Sequence, residues 1–162
     1  MRAFVGVGSN LGDRWAHLAA AARALRAAPG VAVVRASRVW DTEPVGPRQP
    51  RYLNAVLELE TTRTPEALLR LLQDVERAAG RRRDVHWGAR TLDLDLLLLA
   101  GRVVSRRGLV VPHPELPRRR FVLVPLAELA ADMEVPGSGR TVADLLAVAP
   151  LLSVVPVGGY PL

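Results

Sequence analysis

Residues 92–99 hold six leucines and two aspartates, and they leave the chain little conformational choice. Leu92, Leu94 and Leu96 alternate with Asp93 and Asp95 at the period of a β-strand, so the leucines face one way and the carboxylates the other. From Leu96 to Leu99 every residue is leucine, and such a run needs cover on both faces. Two carboxylates at i and i+2 stand about 6.5–7 Å apart along a strand, and they repel unless a cation lies between them. Their oxygen donors suit Mg²⁺ or Mn²⁺ better than zinc. The alternative is two solvated aspartates on the wet face of a half-buried strand.

The rest of the chain supplies the sheet. Residues 3–8 read as a short buried strand, and Ser9-Asn10-Leu11-Gly12 as a turn. Asp13 is the expected cap of a helix that ends at Pro29-Gly30, with Trp15, Leu18, Ala22 and Leu25 on its apolar face. Gly6 and Gly8 have the wrong spacing to Gly12 for a dinucleotide fingerprint, and are read as points where backbone or a flat ligand approaches closely. Residues 31–41 form a second strand pattern. Residues 42–50, with three prolines and a glycine, form a loop. Residues 52–60 alternate again: Leu53, Ala55, Leu57 and Leu59 on one face, Tyr52, Asn54, Val56 and Glu58 on the other. Thr64-Pro65-Glu66 opens a helix whose apolar face is Leu68, Leu71, Leu72, Val75 and Ala79, closed by Gly80. Residues 81–90 are a basic loop containing His86 and Trp87, and the leucine strand follows.

The order β-α-β-β-α-β is that of a split βαβ, or ferredoxin-like, α/β sandwich (α+β) with an antiparallel-rich sheet. Helices cover the leucine face, and the other face, with Tyr52, Asn54, Asp93 and Asp95, stays open. Short strands near 102–104 and 133–135, a helix over 122–131, a last short helix from Thr141 and a tail over 150–162 that wraps the body complete a single domain, 1–162.

Composition narrows the chemistry. The net charge is +6, and every basic residue other than histidine is arginine. Without lysine a Walker-type phosphate loop is impossible, so phosphate contacts fall to Arg, His, backbone amides or metal. The absence of cysteine excludes thiol catalysis. No apolar run reaches the roughly 18 residues of a membrane span, and the N-terminus enters a strand with no secretory pattern, so a cytoplasmic monomer that binds neither membrane nor nucleic acid is expected. Arginine triplets at 81–83 and 118–120, with Arg90, bracket the Asp pair, and His113 stands between two prolines. The chain has only seven Phe, Trp and Tyr residues, and two of them, Tyr52 and Phe121, fall near the open face. Paired carboxylates, Mg²⁺ and several arginines are the parts of phosphoryl transfer. Two other classes fit the same parts less well. One is an RNA-binding module on the open sheet, opposed by the two aspartates. The other is a metal-dependent phosphatase or nuclease.

The segment Gly88-Ala89-Arg90-Thr91-Leu92-Asp93-Leu94-Asp95-Leu96-Leu97 resembles the signature of the 6-hydroxymethyl-7,8-dihydropterin pyrophosphokinase family of folate biosynthesis. The resemblance extends to Val7-Gly8-Ser9-Asn10-Leu11-Gly12, Thr42-Glu43-Pro44-Val45-Gly46-Pro47, Tyr52-Leu53-Asn54-Ala55, Val111-Pro112-His113 and Arg119-Arg120-Phe121. It implies transfer of pyrophosphate from the co-substrate ATP to the pterin hydroxymethyl group, with release of AMP. By motif position it implies that Asp93 and Asp95 hold two Mg²⁺ ions. Gly8, Thr42, Val45, Tyr52, Asn54, Asp93 and Phe121 would bind the pterin. Gln73, Glu76, Arg81, Arg83, Trp87, Arg90, His113 and Arg119 would bind ATP, with Arg81 and Arg90 stabilising the transferring group. The chain departs from the family pattern at His86, in place of arginine, at Pro114, in place of an aromatic, and at Glu43, in place of proline. The loops over 42–51 and 81–87 are each one residue shorter than the family form.

Overall fold

β1 (Arg2–Ser9) runs through the middle of the sheet, with every residue after Arg2 buried. The computed structural model describes residues 1–80 and 91–162. From β1 the chain passes through α1 (Arg14–Ala27), β2 (Val31–Ala36), β3 (Val39–Thr42), β4 (Tyr52–Thr61), α2 (Pro65–Ala78) and β5 (Asp93–Leu99). β6 (Val104–Arg106), β7 (Leu109–Val111), a 3-10 turn, α3 (Arg120–Ala130), β8 (Glu134–Val135), β9 (Arg140–Thr141), α4 (Val142–Val148) and β10 (Val154–Gly158) follow.

The main sheet has the order β10-β3-β4-β1-β5, with β2 also on β4, and all its pairings are antiparallel. β1 sits between β4 and β5, and β4 between β1 and the β2–β3 pair, which is the split βαβ arrangement expected from the element order. The expected strand over 31–41 is broken at Ser37. Its hydroxyl accepts the Val56 N–H (2.8 Å) and donates to the Arg38 carbonyl (2.8 Å), replacing a ladder contact with side-chain bonds.

Both long helices start where the sequence places them. Asp13 and Thr64 accept the N–H groups of Ala16 and Ala67, each at 3.1 Å. The buried face of α1 is Leu18, Ala21, Ala22 and Leu25, so Ala21 takes the place expected for Trp15, which lies against the tail near Gly158 instead. On α2, Leu68, Leu72 and Val75 are buried as expected, while Leu71 and Ala79 are only partly covered. The two helices cover the face formed by Val5, Val7, Leu57, Leu94 and Leu96, at the centre of the core.

The second face is not open throughout. α3 packs on β3 and β4 on one side and on α4 on another, with Val122, Leu123 and Leu126 buried. It closes the end that carries Val56 and Glu58 and leaves free the end with Tyr52, Asn54, Asp93 and Asp95. Arg35 fastens the closed end, donating to Glu58 (2.7 Å) and to the Leu129 carbonyl (2.8 Å). The strand expected over 133–135 pairs with β9 as a separate ribbon, and the tail contributes an edge strand, β10, on β3.

Candidate active site

A cavity of about 360 Å³ opens at the uncovered end of the second face, large enough for a small bicyclic ring. Its floor is set by strand register. Asn54, Gly8 and Asp93 stand in one row across β4, β1 and β5, and Gly6 pairs with Asp95 in the row that follows. Directly paired residues share a face, so the two glycines leave bare backbone between an amide on one side and two carboxylates on the other. The clearance is tight: a Cβ on residue 8 would stand 2.6 Å from Asn54 Oδ1.

The walls come from three segments. Tyr52 begins β4, Thr42 to Val45 lead out of β3, and Arg118, Arg119, Phe121 and Val122 lie at the entry to α3, and all of them line the cavity. Asn54 is buried, and its Nδ2 donates to Thr42 Oγ1 at 2.8 Å. That bond orients the amide so that its oxygen lies over Gly8. Arg119 donates to Asp95 Oδ2 at 3.3 Å and lies over the Phe121 ring, 5.8 Å from its centroid. The guanidinium is thus shared between a carboxylate and an aromatic face.

Behind this floor, the free edge of β5 is held by two of the expected nucleotide residues. Buried Glu76 accepts the Leu94 N–H at 3.0 Å, and the His113 N–H donates to the Leu97 carbonyl at 2.7 Å. Nδ1 of His113 accepts the Glu115 N–H at 3.1 Å, which places the ring proton of the neutral form on Nε2. Burial, and then the positive charge of Arg119, hold the His113 pKa below that of an ordinary histidine.

Of the residues expected from sequence, Gly8, Thr42, Val45, Tyr52, Asn54, Asp93, Asp95, Arg119 and Phe121 line the cavity. Gln73, Glu76 and His113 do not: Glu76 and His113 hold the outer edge of β5, and Gln73 lies one turn before Glu76 on α2. Arg81, Arg83, His86, Trp87 and Arg90 lie outside the described residues. The cavity also takes in Gly6, Glu43, Pro44, Ala55, Glu115, Arg118 and Val122, which were not expected as site residues. Gly6 had a sequence signal in its spacing to Gly8; Glu115 and Arg118 had none beyond closeness to His113 and Arg119.

Among the described residues no group of three or more His, Cys, Asp or Glu side chains stands ready to hold a metal. Asp93 and Asp95, on one face of one strand, are a two-carboxylate set. That set suits a Mg²⁺ ion that completes its octahedral shell with water and phosphate oxygens rather than with protein.

The profile of the 7,8-dihydro-6-hydroxymethylpterin-pyrophosphokinase family matches residues 4–131. The chain is 44% identical over 147 residues to the 2-amino-4-hydroxy-6-hydroxymethyldihydropteridine pyrophosphokinase of Methylorubrum extorquens, covering 90% of this chain and 92% of that one. It is 42% identical over 150 residues to the protein of that name from Pseudomonas aeruginosa, covering 92% of each. Among solved structures it is similar to wild-type Plasmodium falciparum HPPK-DHPS with SDX-DHP, with a TM-score of 0.64 at 11% identity, over 90% of this chain and 43% of that longer one. At that identity the likeness speaks to the fold.

Proposed function

We propose, from the premise that this chain belongs to the 7,8-dihydro-6-hydroxymethylpterin-pyrophosphokinase family, that the cavity is its pterin site and the Asp93–Asp95 edge its phosphate site. The reaction is transfer of pyrophosphate from ATP to the hydroxymethyl group of the dihydropterin, in folate biosynthesis. A bond forms between the hydroxymethyl oxygen and the β-phosphorus, the hydroxyl proton passes to water, the link from that phosphorus to the α-phosphate oxygen breaks, and AMP leaves.

The observation that carries the site assignment is the row Asn54–Gly8–Asp93, walled by Tyr52 and Phe121. A flat heteroaromatic ring fits over backbone that has no Cβ, stacks on the two aromatic side chains, and meets an oriented amide oxygen at one edge. Asn54 Oδ1, oriented by Thr42, accepts from the ring's N–H edge, and the backbone of Thr42 and Val45 reads the neighbouring polar atoms. At the other edge the hydroxymethyl group comes to the two carboxylates. There Asp93 and Asp95 would hold two Mg²⁺ ions in the complex with ATP, and the ions would supply positive charge against the phosphates and the reacting oxygens. Arg119 leaves Asp95 for a phosphate oxygen in that complex. His113 stays neutral near pH 7 and donates from Nε2, while Gln73 and Glu76 face the nucleotide from α2. Arg81, Arg83, Trp87 and Arg90 complete the phosphate and nucleotide contacts by motif position. Residues 1–162 act as one domain, as a monomer, in the cytoplasm. Among the described residues no helix is long and apolar enough to cross a membrane.

Calorimetry with a non-hydrolysable ATP analogue, with and without Mg²⁺ and then with the pterin, tests this reading. Binding of the analogue should require Mg²⁺, and the pterin should bind after it. Asp95→Ala should abolish AMP formation while the protein stays folded. Full activity in that variant would sink the two-metal assignment.

A further inference from the structure

Between α4 and β10 the chain passes through residues 149–153 with no regular secondary structure, yet it is fastened at one end to the entry of α3 and at the other to the loop after β3, two stretches that supply lining residues of the cavity. At its start the anchor is Arg120, the residue between Arg119 and Phe121. Its Nε donates to the Pro150 carbonyl at 3.1 Å, and its Nη2 to the carbonyls of Ala149 and Leu146 at 2.9 and 3.2 Å. At its end Ser153 and Glu43 bond reciprocally. The Glu43 N–H donates to the Ser153 carbonyl at 3.1 Å, and the Ser153 N–H donates to Glu43 Oε1 at 2.8 Å. Arg51, which closes the 42–51 loop on the other side, donates from Nη2 to Ser153 Oγ at 3.1 Å and pairs with Asp41.

The segment therefore joins two stretches that meet nowhere else in sequence. One wall is the loop after β3, whose prolines deny it a ladder of its own. The other is the entry to α3. Arg120 satisfies three carbonyls around the end of α4, where a helix leaves carbonyls without partners. Glu43 supplies the side-chain acceptor at the other end of the segment.

We propose that residues 149–153 are a tie that holds the Thr42–Val45 wall and the Arg119–Phe121 wall at the separation of a flat ring. Glu43 and Arg120 are positioning residues for the pterin, acting through the tie rather than on the ring. This rests on the reading of the cavity as the pterin site. Walls fixed before binding need no ordering on binding, so the tie acts on affinity for the pterin and not on affinity for the nucleotide.

The test uses the full chain, titrated with hydroxymethyl-dihydropterin at saturating Mg²⁺ and ATP analogue, and separately with the analogue alone. Glu43→Ala and Arg120→Met should each weaken pterin binding about three- to tenfold, the worth of one or two net hydrogen bonds, with analogue affinity maintained. Glu43→Gln keeps the acceptor oxygen and should restore pterin affinity. The double variant should lose less than the product of the two single losses, because a tie released at one end transmits nothing from the other. The proposal is overturned by an unaffected Glu43→Ala, by Glu43→Gln as weak as alanine, by losses that multiply, or by equal loss of analogue and pterin. Phe121→Ala, run alongside, separates the two levels. Weaker pterin binding there but not in Glu43→Ala overturns the tie and leaves the site assignment standing; no weakening in either overturns both.

Discussion

Gly8 and Asn54 set the smallest scale at which the site is decided. Because a Cβ at residue 8 would fall 2.6 Å from Asn54 Oδ1, Gly8→Ala must push the amide away from Thr42 and raise the floor at once. We expect pterin affinity in Gly8→Ala to fall at least about tenfold, equivalent to ~1.4 kcal/mol, with ATP-analogue binding retained; calorimetry with each ligand checks it. His113 gives a second prediction at this scale. Burial and Arg119 lower its pKa below 6.5, so folding favours the neutral ring. Its contribution to stability is full above the unfolded value and is lost as pH falls through the folded one. Its imidazole proton resonances should therefore titrate below 6.5 in the folded protein, and a midpoint above that value would remove the neutral donor from the scheme. The positions of Gly8, Asn54 and the aspartates on one face were legible because each is tied to a local pattern, a glycine pair after a strand or an alternation along one. Those of Glu115 and Arg118 were not, because what brings them to the cavity is the turn before α3, which no periodicity announces.

At the scale of elements, local signals did well where an element carries its own start and stop. Thr64 followed by Pro65 predicts α2, and the Thr64 hydroxyl accepts the Ala67 N–H in the structure. Thr64→Ala should lower stability by about 1 kcal/mol, seen as a lower urea midpoint at unchanged slope. Patterns failed where a neighbour overrules the period. The strand over 31–41 breaks because Ser37 bonds to Val56, on a strand nineteen residues later in the chain, and Trp15 stays exposed on α1, beside Gly158 of the tail. That tail is held to α1 by Tyr160, whose hydroxyl donates to the Leu18 carbonyl at 2.6 Å and whose pKa burial pushes far up. The tail over 150–162, expected to wrap the body, also supplies β10, since an edge strand tolerates Pro156 where a central one would not.

For the whole molecule the deciding event is the packing of α3 on the second sheet face. It buries Glu58, and Arg2 and Arg35 meet that carboxylate at 2.6 and 2.7 Å. Burial alone would raise its pKa, but the hydrogen bonds and charges of the two arginines outweigh it and hold the group below 4.5. A carboxyl depressed on folding stabilises fully above its unfolded pKa, and that contribution is lost as pH falls through the lower folded value. Glu58→Gln should cost about 1.5–3 kcal/mol near neutral pH, the range for a hydrogen bond to a charged group, and should flatten the fall in urea midpoint between pH 5 and 3. An acid limb as steep as wild type would show that Glu58 does not carry it. The sequence by itself determined the β-α-β-β-α-β order of elements, the faces of β4 and β5, and the family, because alternation, caps and a contiguous motif are properties of neighbouring residues. Only the tertiary structure decided how much of the second face α3 covers, and which segments join Tyr52 in lining the cavity. Those depend on where α3 and the tail come to rest, and that position is set by burial and carbonyl-capping contacts between segments far apart in the chain.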